Sequence, residues 1–430
     1  MRRRPRLPLR LTAMETLANV LLYGTGDAVD LTITDGRIVD VTPATDGGEP
    51  RIVLPGLVDM HVHFRDPAAP GSVQSLAENL ESGARASAAG GFTEVFAMAN
   101  TEPVTDTPGR WEDMRRRSTD LGVGVHPVSS LTEGLGGNRL VDLEGMRAAG
   151  ALLFSDDGRC LDDPALAREA MTRLAAVGGI YAEHAQDATI AGDGVIDASV
   201  ARSLGVPGWP TAGEASVVER DIQLAADTGC RVHVCHVSTR ESLDLIRAAK
   251  ASGLPVTAEV TPHHLVLTAE DARRTGPALK VNPPLRPRAD RDALRAALLD
   301  GTIDVVATDH APHAAVLKNR DWTHAAFGLT GVETALAVVA RVVEEERGAA
   351  DWRTVATVMS TTPRALAGLP VVSLAVGDEA SFCVVAEDDV TVDPTRHVSL
   401  SRNSPFAGRK LGHRIVGTHR RGRQTYAGGR

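Results

Sequence analysis

Leu57-Val58-Asp59-Met60-His61-Val62-His63 begins as a strongly apolar run and ends on two histidines one residue apart. In an extended strand, residues two apart point to the same face, so both imidazoles can grip one ion. A single His-x-His would serve as well as a pair of hydrogen-bonded core histidines. Here the pattern recurs, because apolar runs also lead into Asp157, His184, His236 and Asp309. Six potential ligands, each at the exit of an apolar run, are not explained by packing. They favour a metal-dependent hydrolase.

Eight apolar strand candidates lie near residues 57–61, 93–98, 123–128, 151–154, 179–183, 231–235, 255–259 and 303–307, with helical stretches between them at 75–89, 164–177, 214–228 and 240–251. Strands alternating with helices predict parallel βα units, and eight units predict a closed (β/α)8 barrel with its active site at the carboxyl ends of the strands. The ligand candidates fall there: His61 and His63 after strand one, Asp157 after four, His184 after five, His236 after six and Asp309 after eight.

Both ends of the chain read as β-structure. Leu31-Thr32-Ile33-Thr34 alternates into Asp35-Gly36, and Arg37-Ile38-Val39-Asp40-Val41 alternates out, a hairpin signal. The tail from about 377 reads similarly, with strands near 380–385 and 414–418 and a basic turn at 420–423. The expectation is an α/β protein. Residues 56–369 form the catalytic barrel, and residues 14–55 with 370–430 form one small β-sandwich from both termini.

The net charge of −9 argues against general nucleic-acid affinity. Four cysteines with no CxxC pair fit a reducing, cytoplasmic setting. Five arginines crowd the first ten residues with no apolar stretch of signal-peptide length after them. Residues 1–13 read as a disordered basic arm or as sequence upstream of a true start at Met14. No run approaches a membrane span. Gly24 and Gly26 have no third glycine at the spacing of a nucleotide loop, and no Gly-x-Ser-x-Gly elbow is present.

Several motifs together resemble the dihydroorotases of the amidohydrolase superfamily. They are His61-Val62-His63-Phe64-Arg65-Asp66-Pro67, Gly90-Gly91-Phe92-Thr93, Met98-Ala99-Asn100-Thr101, Ser155-Asp156-Asp157-Gly158, Cys235-His236-Val237-Ser238-Thr239, Val260-Thr261-Pro262-His263-His264-Leu265, Asn282-Pro283-Pro284-Leu285-Arg286 and Thr308-Asp309-His310-Ala311-Pro312-His313. The resemblance runs from the Asp35-Gly36 hairpin through Ser401-Arg402-Asn403-Ser404-Pro405-Phe406. It implies reversible interconversion of N-carbamoyl-L-aspartate and (S)-dihydroorotate in de novo pyrimidine (UMP) synthesis.

The resemblance also implies roles. His61, His63 and Asp309 would bind one zinc, His184 and His236 a second, and Asp157 would bridge them together with a hydroxide. The residues alone leave Asp156 as an equal rival for the bridge; the family pattern favours Asp157. The hydroxide would attack the ring carbonyl while Asp309 acts as general base and then acid. His63, Arg65, Asn100, Asn282, His313, Phe327 and Gly328 would bind substrate, with Arg65, Asn100 and His313 on the α-carboxylate and Asn282 and the Phe327-Gly328 backbone on the ring amides. Many relatives bridge their metals with a carboxylated lysine before the third histidine. The four lysines here, Lys250, Lys280, Lys318 and Lys410, all come after it, so the bridge must be a side-chain carboxylate.

Blander readings stand beside these. Arg65 could sit in a rim ion pair and Asn100 could cap a turn. His310 would support the site from behind, His263 and His264 read as structural, and His126 and His233 as core or supporting residues. His324, His397, His413 and His419 read as surface. Two loops depart from the family pattern: 68–75 is longer and leads to Ala77-Glu78 where a Lys-Glu pair is common, and Val316-Leu317 replaces an acidic pair before Lys318. The competing functions are hydrolysis of another cyclic amide, hydantoinase-like, and a weakly active scaffold for aspartate transcarbamoylase. A homo-oligomer, with possible association with that enzyme, is the expected assembly.

Overall fold

The computed structural model describes residues 14–428 except 46 and 70. The expectations for residues 1–13 lie outside the described residues. Eight short parallel strands form the central ring: Leu57–Val62, Phe92–Ala97, Gly124–Pro127, Leu153–Phe154, Ile180–Glu183, Arg231–Val234, Val256–Val260 and Val305–Val306. They are hydrogen-bonded as a three-stranded and a five-stranded ladder. Bridges between Ser129 and Phe154 and between Val62 and His310 join the two into a barrel.

The strands are apolar on both faces because both faces are covered. Val58, Phe96, Val128, Leu153, Ile180 and Val305 share one buried cluster inside the ring. Leu57, Val95, Val125, Tyr181, Val232 and Val260 face the surrounding helices in a larger one. Each predicted barrel strand appears within two residues of its expected position. The helices Pro164–Val177 and Arg240–Ala251 have the expected bounds.

The termini combine in a separate seven-stranded sheet. Glu15–Leu22, Val29–Thr34, Arg37–Pro43 and Arg51–Pro55 come from the front of the chain, and Phe382–Thr391, Lys410–Arg420 and Arg423–Ala427 from its end. Arg51–Pro55 pairs antiparallel with Phe382–Thr391 and so joins the two halves. The sheet curls until Ile38 N donates to Asp378 O at 3.0 Å, enclosing Val20, Leu31, Ile33, Val53 and Phe382. The small β-domain from both termini is therefore present, with its layers belonging to one curled sheet. At the Asp35-Gly36 hairpin, Gly36 has φ +77° and a Cβ there would lie 2.7 Å from Arg421 O, so only glycine fits.

The structure corrects three details. The helix expected over 75–89 is broken into Val73–Ala77 and Leu80–Ala89, because Asn79 and Ser82 form a reciprocal cap between them. Glu78, at the break, is fully buried. His413 and His419, expected at the surface, are 8% and 2% exposed. His413 stands edge-on to Trp352 and His419 stacks on Phe382, because this strand lies beneath other elements. Helix Ala335–Arg347 and the short strand pair Ile196–Asp197 with Gly208–Trp209 carry no counterpart in the sequence reading.

Candidate active site

The six ligand candidates converge above the carboxyl ends of the strands, none more than 5% exposed. Asp157 stands at their centre. Its Oδ1 lies 3.3 Å from His61 Nε2, 3.3 Å from His184 Nδ1 and 3.4 Å from His236 Nε2, while Oδ2 lies 3.4 Å from His63 Nε2. Asp309 Oδ1 is 3.0 Å from His63 Nε2 and 3.6 Å from His61 Nε2. His184 Nδ1 and His236 Nε2 face each other at 2.9 Å.

Three residues that turn into this space do so with left-handed backbone: His236 at φ +32°, Asp309 at +45° and Arg65 at +55°. Such conformations cost about 1–3 kcal/mol each and persist where surrounding bonds over-determine them. Here Glu259 accepts from His236 N, and Asp59 accepts from Thr308 N and Oγ1 just before Asp309.

Four imidazoles and two carboxylates gathered in this way suit a divalent cation such as zinc. His61 Nε2 and His236 Nδ1 are buried without a hydrogen-bond partner among the described residues. Donor atoms of His61, His63 and Asp309, and of His61, Asp157 and His236, lie within 4.8 Å of one another in each group. The residues present therefore fit a metal centre. Burial opposes ionisation of Asp157, but His61 with bonds from His184 and His236 outweighs it and holds the carboxyl well below its usual range. Asp309 is likewise brought down to about 2, burial being outweighed by His63 and by the charges of His61 and His236.

Asp156, by contrast, faces away. It accepts from Leu131 N at 2.7 Å, from Thr132 N at 3.0 Å and from the Thr132 hydroxyl. The neighbouring acids are thus divided between a loop anchor and the histidine cluster.

A cavity of about 210 Å³ opens over the cluster, smaller than the ~300–1,000 Å³ typical of drug-sized ligands. Its wall includes His63, Arg65, Asn100, Asn282, His313, Phe327 and Gly328 together with Asp157, His184, His236 and Asp309. His61 lies beneath. Arg65 donates through Nε to Pro312 O at 3.3 Å and sits 3.4 Å from His313 Nε2. It has no ion-pair partner among the described residues, which removes the rim ion-pair reading. Asn100 bonds His63 Nδ1 at 2.9 Å and donates to Asp157 O at 3.2 Å, so it links two ligand candidates instead of capping a helix. His313 Nε2 donates to Phe327 O at 2.5 Å. Burial, then the Arg65 charge, brings its pKa down to about 3.

The sequence reading missed several residues behind the site. Glu259 is wholly buried, with Oε1 2.7 Å from His61 Nδ1 and Oε2 3.1 Å from His233 Nε2. The signal was available, since Glu259 is an acid inside the apolar run Val256–Val260. Gln186 Oε1 receives both His184 Nε2 and Asn282 Nδ2 at 2.9 Å. Glu78 accepts from Ser399 Oγ and lies 3.4 Å from His310 Nε2. His264 bonds Thr261 Oγ1 and Pro283 O, a structural arrangement.

A family model described as dihydro-orotase-like matches residues 50–242. The dihydroorotase of Streptomyces coelicolor is 43% identical over 423 residues, covering 94% of this chain and 96% of that protein. The chain belongs to the dihydroorotase family. Another relative in the family, the dihydroorotase of Mycobacterium tuberculosis, is 41% identical over 95% of this chain and 97% of its own length. Among solved structures, the L-hydantoinase (dihydropyrimidinase) of Arthrobacter aurescens superposes with a TM-score of 0.82 at 26% identity, over 95% of both chains. A D-hydantoinase structure shares the fold with a TM-score of 0.79 at 19% identity. The dihydroorotase family consists of metal-dependent cyclic amide hydrolases, and this chain has their barrel.

Proposed function

We propose that this chain is an active dihydroorotase, interconverting N-carbamoyl-L-aspartate and (S)-dihydroorotate for pyrimidine synthesis at a two-zinc site. One observation carries the reading: one small cavity has a six-ligand cluster as its floor and, in its wall, Arg65, an arginine with no ion-pair partner among the described residues. His61, His63 and Asp309 would hold one zinc and His184 and His236 the other, with Asp157 between them. Bound there, the ions supply an acidified water as nucleophile and polarise the ring carbonyl.

The remaining work falls to the protein. Asp309 borders the cavity and is ionised at neutral pH, so it accepts a proton as the ring opens and delivers it to the leaving amide nitrogen. In ring closure it takes the proton from the carbamoyl nitrogen. Arg65, with a planar fork of donors, meets the α-carboxylate alongside Asn100 and His313, the imidazole turning to it the N–H that otherwise goes to Phe327 O. Asn282 and the Phe327-Gly328 backbone face the ring amides. The charge-free ring of a hydantoin or dihydropyrimidine would leave Arg65 without an anion, and none of the four lysines lines the cavity. A scaffold without activity would not need all six ligands.

Four free cysteines support a reducing compartment, the cytoplasm in this reading. Among the described residues, no helix is long and apolar enough to cross a membrane. Homo-oligomerisation and association with aspartate transcarbamoylase belong to the same proposal, tested by light scattering of the chain alone and mixed with that enzyme. The substrate assignment is tested by comparing kcat/KM for L-dihydroorotate, hydantoin and dihydrouracil. Preference for the acid by about a hundredfold or more is expected; equal use of the neutral rings would overturn it.

A further inference from the structure

Two of the four lysines, Lys280 and Lys318, are buried at 2% and 5% exposure beside the cavity. Neither has a carboxylate within ion-pair distance among the described residues; the exposed Asp321 is the acid whose field reaches Lys280. Both amino groups donate to backbone carbonyls; burial, then the charge of Lys280, brings the pKa of Lys318 down to about 7, and burial also lowers that of Lys280. Lys280 Nζ donates to Trp322 O at 2.6 Å and Thr323 O at 3.4 Å, and stands 4.2 Å from the centre of the Phe327 ring. Lys318 Nζ donates to Lys280 O at 2.9 Å and Ala326 O at 3.0 Å. Gly328 N donates to the same Lys280 O at 3.1 Å.

Burying an ammonium carries a large desolvation penalty, and an apolar residue of equal volume often packs there at no loss. Two like charges placed together raise that cost further. The bonds they make converge on one object. They tie 322–328, which ends in the cavity wall at Phe327-Gly328, to the segment 280–282 that carries Asn282. The charge of Lys318 also reaches the cavity, since it adds to burial and Arg65 in depressing the pKa of His313.

We propose that Lys280 and Lys318 are positioning residues for an acidic substrate. They clamp the Phe327-Gly328 wall against the Asn282 segment and, when protonated, give that side of the cavity a positive field that draws the substrate carboxylates. The inference rests on the dihydroorotase reading for the identity of the substrate, though not for the existence of the field.

The test uses zinc-loaded full-length chain with Lys318→Met and Lys280→Met, which keep the volume and remove the charge, and Lys318→Arg, which keeps the charge. Binding of orotate, an unreactive planar acid, is measured by calorimetry at several ionic strengths at pH 6, where Lys318 is protonated, alongside kcat and KM. The expected result is affinity for orotate about tenfold weaker in the methionine variants, KM raised similarly and kcat within about twofold. The salt dependence of orotate binding should flatten, which loss of packing alone would not cause, and Lys318→Arg should recover part of the loss. Unchanged affinity and salt slope in soluble variants would overturn the proposal, as would wild-type chain that binds no orotate. Wild-type chain that binds orotate salt-sensitively without turnover would contradict the dihydroorotase reading and leave the field intact.

Discussion

Glu259 Oε1 lies 2.7 Å from His61 Nδ1, on the ring edge opposite Asp157, and both side chains are wholly buried. With a metal ion bound, the carboxylate would fix the tautomer, Nδ1 keeping the proton and Nε2 offering its lone pair to the ion. Glu259→Gln should therefore weaken metal binding by about 10–100-fold while the barrel stays folded. Chelator competition followed by metal analysis measures it, and undiminished affinity would remove Glu259 from the site.

Asp309→Asn should keep the fold and abolish turnover. The amide matches the carboxylate in size but cannot take the proton that the ionised Asp309 accepts. Far-UV circular dichroism and a turnover assay on the same sample separate the two effects, and substantial activity would exclude Asp309 as the base.

The adjacent acids should behave differently. Asp156→Ala strips the acceptor from Leu131 N and Thr132 N and should cost about 1–3 kcal/mol of stability with metal content retained. Asp157→Asn should lose bound metal, because its oxygens face all four histidines, and should also lower the stability of the metal-free chain, since those histidines favour its ionised form. Denaturant titration paired with metal analysis reads both.

Gly328→Ala should impair both substrate binding and stability. Gly328 has φ +133°, and a Cβ there would lie 2.7 Å from Ala311 Cβ and 2.9 Å from His313 Nε2. The cavity wall would have to move, so kcat/KM should fall about tenfold or more, and the strained backbone should cost about 1–3 kcal/mol of stability.

His313 should stay neutral throughout the working range. Its folded pKa of about 3 lies below the usual value of 6.5, so between them the unfolded chain takes up the proton first. Its contribution to stability therefore falls as pH drops through 6.5 toward 3, and it adds no break to the rate profile from pH 5 to 9. The imidazole carbon shift of His313 followed by NMR is the check; a midpoint near 6.5 would contradict the account.

The barrel was legible because each strand is a short run apolar on both faces, and the ligands were legible because polar residues at the ends of such runs stand out. Sequence spacing could not choose between Asp156 and Asp157, since the direction of each carboxylate depends on the Leu131–Thr132 loop packed against it from elsewhere in the chain. Glu259 escaped notice because its partner His61 lies 198 residues away. The buried faces of His413 and His419 were hidden for a similar reason, as Trp352 reaches the first from a helix and Phe382 the second from a neighbouring strand. What pattern conveys is a residue's own element; what it omits is which distant side chain comes to rest against it.

The most direct measurement is turnover of L-dihydroorotate by the purified chain with zinc counted in the same preparation. Turnover with about two zinc ions per chain is expected, both lost together in Asp157→Asn. Purified, folded chain that holds two zinc ions and does not open the dihydroorotate ring would contradict it.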